Sequence, residues 1–326
     1  MMDIQGGSRA PGAPRAYYCS LVIPTKNGGE LFKRVVAGLQ RQTRWKDVEF
    51  IIVDSGSDDD TIETARAAGA TCFTIPPAEF NHGATRDFAV AQTSTDRIVL
   101  SVQDAVPYDD HMIESLVAAL DEDNVAGVYA RQIPQPDADV LVARNLNSHF
   151  TARLKREVRS LKSAKAFDAM TPVEKYTLCN FDNVCSAMRK SAWEKDKFGR
   201  INFGEDIDWA ERVLKRGYKI VYEPAAAVIH SHDRPLSYEY KRTYVCHVKL
   251  YQQYMLELTP TLWKAFTSWL TWTLSDMGYV AREEPRWGEK IAMLVKTPAL
   301  NYYRAKACYQ AIRDEKAGTV KTVRGV

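Results

Sequence analysis

The sequence lacks any run of about 18 apolar residues, which argues against a membrane-spanning helix. Leu262–Leu274 comes nearest, but Lys264, Thr267, Ser268, Thr271 and Thr273 interrupt it. Met1–Arg15, rich in Gly, Pro, Ala and Ser, has no apolar core of the kind a secretory leader needs, and reads as a disordered N-terminus. The 6 cysteines form no CxxC pair, so a cysteine-based zinc site is not expected. Several sit in apolar runs, as small core residues with reduced thiols do in a cytoplasm. Neither sign of charge dominates: 44 Lys and Arg against 41 Asp and Glu give a formal net charge of +3, which does not call for a nucleic-acid partner. The basic excess gathers late, at Lys290, Lys296, Arg304, Lys306, Arg313, Lys316, Lys321 and Arg324. That leaves two readings for the tail, a solvated basic helix or contact with anionic lipid headgroups.

Against those absences stands ordinary globular composition over 326 residues, enough for one large α/β domain with an appendage. Apolar runs rich in β-branched residues at Tyr18–Ile23, Phe50–Val53, Thr71–Ile75, Arg97–Val102 and Val125–Ala130 read as strands. Between them Leu31–Leu39, Thr61–Ala68 (with Asp60 as its cap), Gly83–Ala91 and Asp109–Leu120 read as helices. Strands separated by helices predict a doubly wound, mostly parallel, Rossmann-like α/β sheet. In such sheets ligands bind beyond the carboxyl ends of the strands. Asp54 and Asp104 each stand just past such an end. Gln132–Asn180 is less regular, with a polar, basic helix expected near Ala152–Lys165, and residues 131–182 read as an acceptor-side insertion. Asn183–Met188 returns to the sheet, Glu205–Arg216 and Pro235–Leu258 are helical, and Lys219–Tyr222 and Ala226–Ile229 are short apolar segments. The resulting division is a disordered 1–16, a main domain over 17–235 and a helical region over 236–326.

Chemistry concentrates in five places. In Val53-Asp54-Ser55-Gly56-Ser57 an acid at a strand terminus can accept from a nucleobase N–H or a ribose hydroxyl, or simply fasten a turn. In Gln103-Asp104-Ala105 a strand-end carboxylate can hold a divalent cation. Phe203-Gly204-Glu205-Asp206-Ile207-Asp208-Trp209 opens a helix with acids, favoured there by the macrodipole; the flanking aromatics suggest a partly apolar pocket in which one carboxylate serves as general base. In His230-Ser231-His232 alternation sets the two imidazoles on one face, as a metal pair or a surface pair. Phe80-Asn81-His82-Gly83-Ala84-Thr85-Arg86-Asp87 joins a Gly-opened helix start to an Arg suited to phosphate; the plainer alternative is a capped helix with a surface Arg86–Asp87 pair.

Taken in order, these motifs resemble glycosyltransferase family 2 on a GT-A fold, the likeness running from Cys19-Ser20-Leu21-Val22-Ile23-Pro24-Thr25 to His230-Ser231-His232, about two thirds of the chain. Phe80–Arg86 with Gln103-Asp104-Ala105-Val106-Pro107 is most similar to bacterial rhamnosyltransferases of surface polysaccharide assembly. The resemblance implies an inverting, metal-dependent hexosyltransferase. Its donor would be a nucleotide sugar, dTDP-rhamnose or a UDP-sugar, and its acceptor a hydroxyl of a glycan or lipid-linked glycan. Thr25, Asp54, Arg86, Gln103 and Asp104 would bind the donor nucleotide. Asp104 with His230 or His232 would hold Mg²⁺ or Mn²⁺, Asp206 would be the base, and Glu205 would orient it or the acceptor. Gln103 departs from the pattern by replacing an acid. The late aromatics Trp263, Phe266, Trp269, Trp272, Tyr279 and Trp287 serve either core and homodimer contacts or a peripheral membrane contact on the inner face. Two rival classes are a nucleotidyltransferase, for which Lys26-Asn27-Gly28-Gly29 is a poor phosphate loop, and a non-catalytic nucleotide-sugar binding module, which has no need of Asp206.

Overall fold

A computed structural model describes residues 16–232 and 234–321. The disordered reading of Met1–Arg15 and the last basic residue of the tail, Arg324, lie outside the described residues. The strands are β1 (Cys19–Thr25), β2 (Val48–Asp54), β3 (Thr71–Thr74), β4 (Arg97–Ser101), β5 (Val106–Pro107), β6 (Val125–Ile133), β7 (Glu157–Ser160), β8 (Cys185–Arg189) and β9 (Lys219–Ile229). They form one 9-stranded sheet in the order β3-β2-β1-β4-β8-β6-β9-β5, with β7 paired to β9. β1, β2, β3 and β4 run parallel, as do β6 and β9, while β8 lies antiparallel between β4 and β6. The expected α/β architecture is present, and β8 makes the sheet mixed.

The helices of the first half are α1 (Gly29–Gln40), α2 (Thr61–Ala67), α3 (His82–Ala91) and α4 (Met112–Leu120). Alternation along the strands explains how they pack. Cys19, Leu21 and Ile23 of β1 and Phe50 and Ile52 of β2 share a core with Phe32, Val35 and Leu39 of α1 and Leu116 and Val117 of α4. The intervening Val22, Ile51 and Val53 are equally buried, and α3 packs on β1 and β2. At about 1.5–3 kcal/mol for each large apolar side chain removed from water, this two-sided burial fixes the strand register, since a one-residue slip would exchange the faces. Asp60 stands at the start of α2 but makes no side-chain cap; Asp59 accepts from the Thr61 N–H instead, and Asp60 pairs with Lys33.

The middle of the chain adds α5 (Val140–Asn147), α6 (Ala164–Asp168), α7 (Pro172–Leu178), α8 (Lys190–Trp193) and α9 (Glu205–Lys215). The basic helix expected near Ala152–Lys165 is not there. Glu157–Ser160 pairs antiparallel with Lys219–Tyr222 of β9, and only α6 follows. The buried Arg159 of β7 pairs with Glu157 and donates to the Tyr129 hydroxyl and the Asn180 carbonyl, the last two remote in sequence and beyond what helical periodicity can reveal. The two segments expected around Pro224 are one strand, β9.

Chain packing divides the molecule into two units. The first runs to Pro134 and adds Leu146–Ala169 and Leu178–His230; the second takes Gln135–Asn145, Met170–Thr177 and the chain from Ser231 on. Within the second, α10 (Leu236–Tyr254) and α11 (Leu262–Glu283) each pack on α12 (Trp287–Ala317). Apolar contacts between α11 and α12 centre on Val280, Met293 and Leu300, and the buried Asp276 is answered by Arg144 and Asn301. No helix among the described residues is long and apolar enough to cross a membrane. The 6 cysteines are free.

Candidate active site

Parallel pairing sets Thr25 beside Asp54 at the carboxyl ends of β1 and β2. The Asp54 carboxylate is fully buried and accepts from Thr25 Oγ1 (2.9 Å), Ser57 Oγ (2.5 Å), and the backbone N–H groups of Gly56 (2.9 Å) and Ser57 (2.8 Å). It therefore shapes the loop that follows β2. Ser57 and Asn27 then link that loop to the one after β1.

Beyond β4, Gln103 explains its own departure from an acid. Its Oε1 accepts from the Lys26 N–H at 2.7 Å and its Nε2 donates to the Lys26 carbonyl at 3.0 Å. A carboxylate accepts only, so it could not make the second bond. The adjacent Asp104 faces His230, at the end of β9, with Oδ1 3.7 Å from Nε2; both side chains are largely buried. His232, two residues further along the chain, belongs to the second unit. His230 Nδ1 lies 3.0 Å from Gln132 Oε1, and Gln132 Nε2 donates to Asp182 Oδ2 at 3.0 Å.

Antiparallel β8 brings Asp182 and Asn183 to the same sheet edge as the ends of β4 and β6, next to the start of α9. Gly204, at φ 74°, takes the left-handed turn that a side chain would strain and points the first residues of α9 at this edge. Glu205 is buried and pairs with Arg86 Nη1 at 2.9 Å. Asn183 donates to it through Nδ2, at 3.3 Å. Asp206 is half-buried; Oδ1 accepts from the Ile207 N–H and Oδ2 from the Asn183 N–H. Its carboxyl pKa is raised well above the ordinary value, first by desolvation and then by the charges of Glu205 and Asp182. A carboxylate whose proton affinity is raised is a stronger base than an ordinary one.

Arg86 turns inward to Glu205 rather than pairing with Asp87 at the surface. Asp87 instead accepts from Trp193 Nε1 and from the N–H groups of Phe198 and Gly199. The start of α3 is thus riveted to the segment leading into α9. A Cβ on Gly83 would lie 2.2 Å from the Gly199 carbonyl oxygen, so that contact requires glycine.

Residues 20–196, more than half of the chain, match Glycosyl transferase family 2. The chain belongs to glycosyltransferase family 2. It is 33% identical over 231 residues to the O-antigen chain rhamnosyltransferase RfbN of Salmonella typhimurium, covering 68% of this chain and 69% of that protein. In fold it is similar to the mannosyltransferase PcManGT of Pyrobaculum calidifontis, solved with GDP-Man and Mn²⁺, with TM-score 0.56 and 15% identity over 92% of this chain and 86% of that one. A second likeness is to glucosyl-3-phosphoglycerate synthase of Mycobacterium tuberculosis, solved with Mn²⁺, UDP-Glc and phosphoglyceric acid, with TM-score 0.50 and 20% identity over 74% and 81% of the two chains. This family-2 glycosyltransferase is thus an enzyme of the hexosyltransferase class with GT-A-like structural relatives.

Within its site, sequence reading missed Gln132, Asp182 and Asn183. The available signal was polar residues at 180, 182 and 183 immediately before the apolar run that returns to the sheet, a strand mouth on the edge where Asp54 and Asp104 had already been placed.

Proposed function

We propose that this enzyme transfers L-rhamnose from dTDP-rhamnose to a hydroxyl of a glycan or lipid-linked glycan acceptor, with inversion and with a divalent cation. One observation carries the reading. The Asp104–His230 donor pair and the proton-seeking carboxyl of Asp206 gather at one sheet edge, joined through Gln132 and Asp182. The donor and acceptor classes rest on the likeness to an O-antigen rhamnosyltransferase. The Asp104 carboxylate and the His230 imidazole form a mixed donor pair that suits a borderline divalent cation, Mn²⁺ better than the oxygen-seeking Mg²⁺. Bound there, the cation would offset the negative charge growing on the departing nucleoside diphosphate. Asp206 takes the proton of the acceptor hydroxyl as it attacks the anomeric carbon from the face opposite the diphosphate, and Glu205, clamped by Arg86, holds Asp206 in place. Thr25, Asp54 and the Gln103–Lys26 clasp frame the nucleotide end, with Arg86 supporting it through the start of α3.

Thermal-shift titration with Mn²⁺ tests this reading. dTDP-rhamnose at about 100 times its Kd should stabilise the protein by about 2.7 kcal/mol. UDP-glucose should do much less, and EDTA should abolish the response. Equal shifts with both sugars would defeat the donor assignment, and a full shift in EDTA would defeat the cation.

The helices α11 and α12 carry exposed apolar residues at four-residue spacing, Leu262, Phe266, Leu270 and Leu274 on one and Trp287, Ile291 and Val295 on the other. Lys306 and Arg313 border the groove of about 470 Å³ between Phe266 and Tyr302. Apolar and aromatic side chains beside cations suit a peripheral contact with anionic lipid. Phe266→Asp/Ile291→Asp should reduce co-sedimentation with phosphatidylglycerol vesicles at least about tenfold, since burial of two large apolar side chains is lost. Unchanged co-sedimentation would remove the membrane contact.

A further inference from the structure

The hydrogen-bond partners around His230 leave little freedom in where its proton sits. Asp182 Oδ1 accepts from the Val184 N–H at 2.7 Å, and its Oδ2 lies 3.0 Å from the Gln132 side-chain nitrogen. A carboxylate accepts only, so the amide must turn its NH₂ toward Asp182 and its oxygen toward His230. That oxygen is 3.0 Å from His230 Nδ1 and also accepts only, so Nδ1 must carry the hydrogen. In a neutral imidazole Nε2 then keeps its lone pair, and Nε2 is the atom facing Asp104. The backbone holds the arrangement: β6 pairs Gln132 with Val228 of β9, and the His230 N–H donates to Ile133. Gln132 is itself buried, so water does not readily replace its partners.

We infer that Asp182 and Gln132 are a positioning pair that fixes His230 as its Nδ1–H tautomer and presents Nε2 as a ligand beside Asp104. The inference rests on the cation reading above, and it explains why a neutral amide stands between an acid and an imidazole. An acid at 132 would face Asp182 with like charge, and an apolar residue would leave Nδ1 without an acceptor. Outer partners of this kind commonly change metal affinity by about 10- to 100-fold.

The geometry supplies a test by inversion. In Asp182→Asn, the Val184 N–H keeps the new side-chain oxygen and turns its NH₂ toward Gln132. The Gln132 amide must then flip and donate to His230 Nδ1, which moves the imidazole proton to Nε2. Adding Gln132→Glu restores an acceptor on both sides and returns the proton to Nδ1. Long-range ¹H–¹⁵N correlation on histidine-labelled, metal-free protein, above the imidazole titration range and with His230→Gln to assign the signal, reads the tautomer directly. The expected order is Nδ1–H in the wild type, Nε2–H in Asp182→Asn, and Nδ1–H again in the double variant. Mn²⁺ affinity, read by electron paramagnetic resonance of the free ion, should fall about 10- to 100-fold in the single variant and recover in the double. An Nε2–H wild type, or an Asp182→Asn protein that keeps Nδ1–H, would overturn the positioning pair. The wild-type spectrum decides even if a variant fails to fold. A wild type with the inferred tautomer but no Mn²⁺ binding supports the pair and overturns only the cation reading.

Discussion

Asp206→Asn is expected to slow sugar transfer by about 10²- to 10⁴-fold, the usual contribution of a positioned general base, and at the same time to make the protein more stable above neutral pH. The two effects have one origin. Asp206 is held among protein atoms with Glu205 and Asp182 close by, so its ionised form is disfavoured in the folded state and its pKa is raised. The sign follows from linkage. A carboxyl whose folded pKa lies above its unfolded value contributes stability that is present below the unfolded pKa and is lost as pH rises through the raised value. An amide has no proton to lose, so the variant avoids that loss. Its advantage over the wild type should grow with pH from the ordinary carboxylate range to the raised pKa and then level off. Urea denaturation across pH in chelator measures the stability, and initial rates with dTDP-rhamnose measure transfer. In the wild type the acid limb of kcat/KM should lie above the usual carboxylate range. Near-normal turnover by the folded variant would end the assignment of Asp206 as base; a variant slowed but no more stable at high pH would show that the carboxyl is not strained by burial.

The parts of this molecule that were legible in sequence are those decided by local pattern. β1, β2 and β4 announce themselves as apolar runs, and Asp54 and Asp104 stand out because they lie at or just past the carboxyl ends of two of them, where ligands gather in such sheets. Joint order of motifs carried the family. What sequence did not show was how side chains pair across distance. Arg159 makes a strand of a segment whose basic residues suggested a helix. The plainer alternative for Arg86, a surface pair with Asp87, is not what forms: α3 lies against the loop before α9, and the guanidinium meets Glu205. Gln103 looked like a weakened metal motif, and its amide proves to be the group needed to clasp both the N–H and the carbonyl of Lys26. Gln132 and Asp182 carried no motif, because their value lies in donor and acceptor direction, which neither composition nor spacing encodes.

The Arg86–Glu205 pair yields the second large effect. Both side chains are about 7% exposed, so their charges have little water to fall back on. Arg86→Met should cost about 3–5 kcal/mol of unfolding free energy, because it leaves the Glu205 carboxylate buried without its cation. Most of that loss is the penalty of the orphaned charge, not the net worth of the pair. Arg86→Met/Glu205→Gln should therefore be clearly more stable than Arg86→Met alone, the amide keeping an oxygen for Asn183. Activity should separate from stability. The Arg86 charge also restrains the proton affinity of Asp206, so Arg86→Met should move the acid limb of the rate profile upward. In the double variant both the Arg86 cation and the Glu205 anion are gone; Glu205 is the larger of these two influences on Asp206, so the limb should move back downward. Denaturation curves for the wild type, both single variants and the double close a thermodynamic cycle. A coupling near zero would mean that Glu205 is wet in solution and that the clamp on the start of α9 is held by Asn183 and Gly204 alone. A large coupling with an unmoved rate profile would make the pair a structural rivet between α3 and α9 with no part in tuning the base.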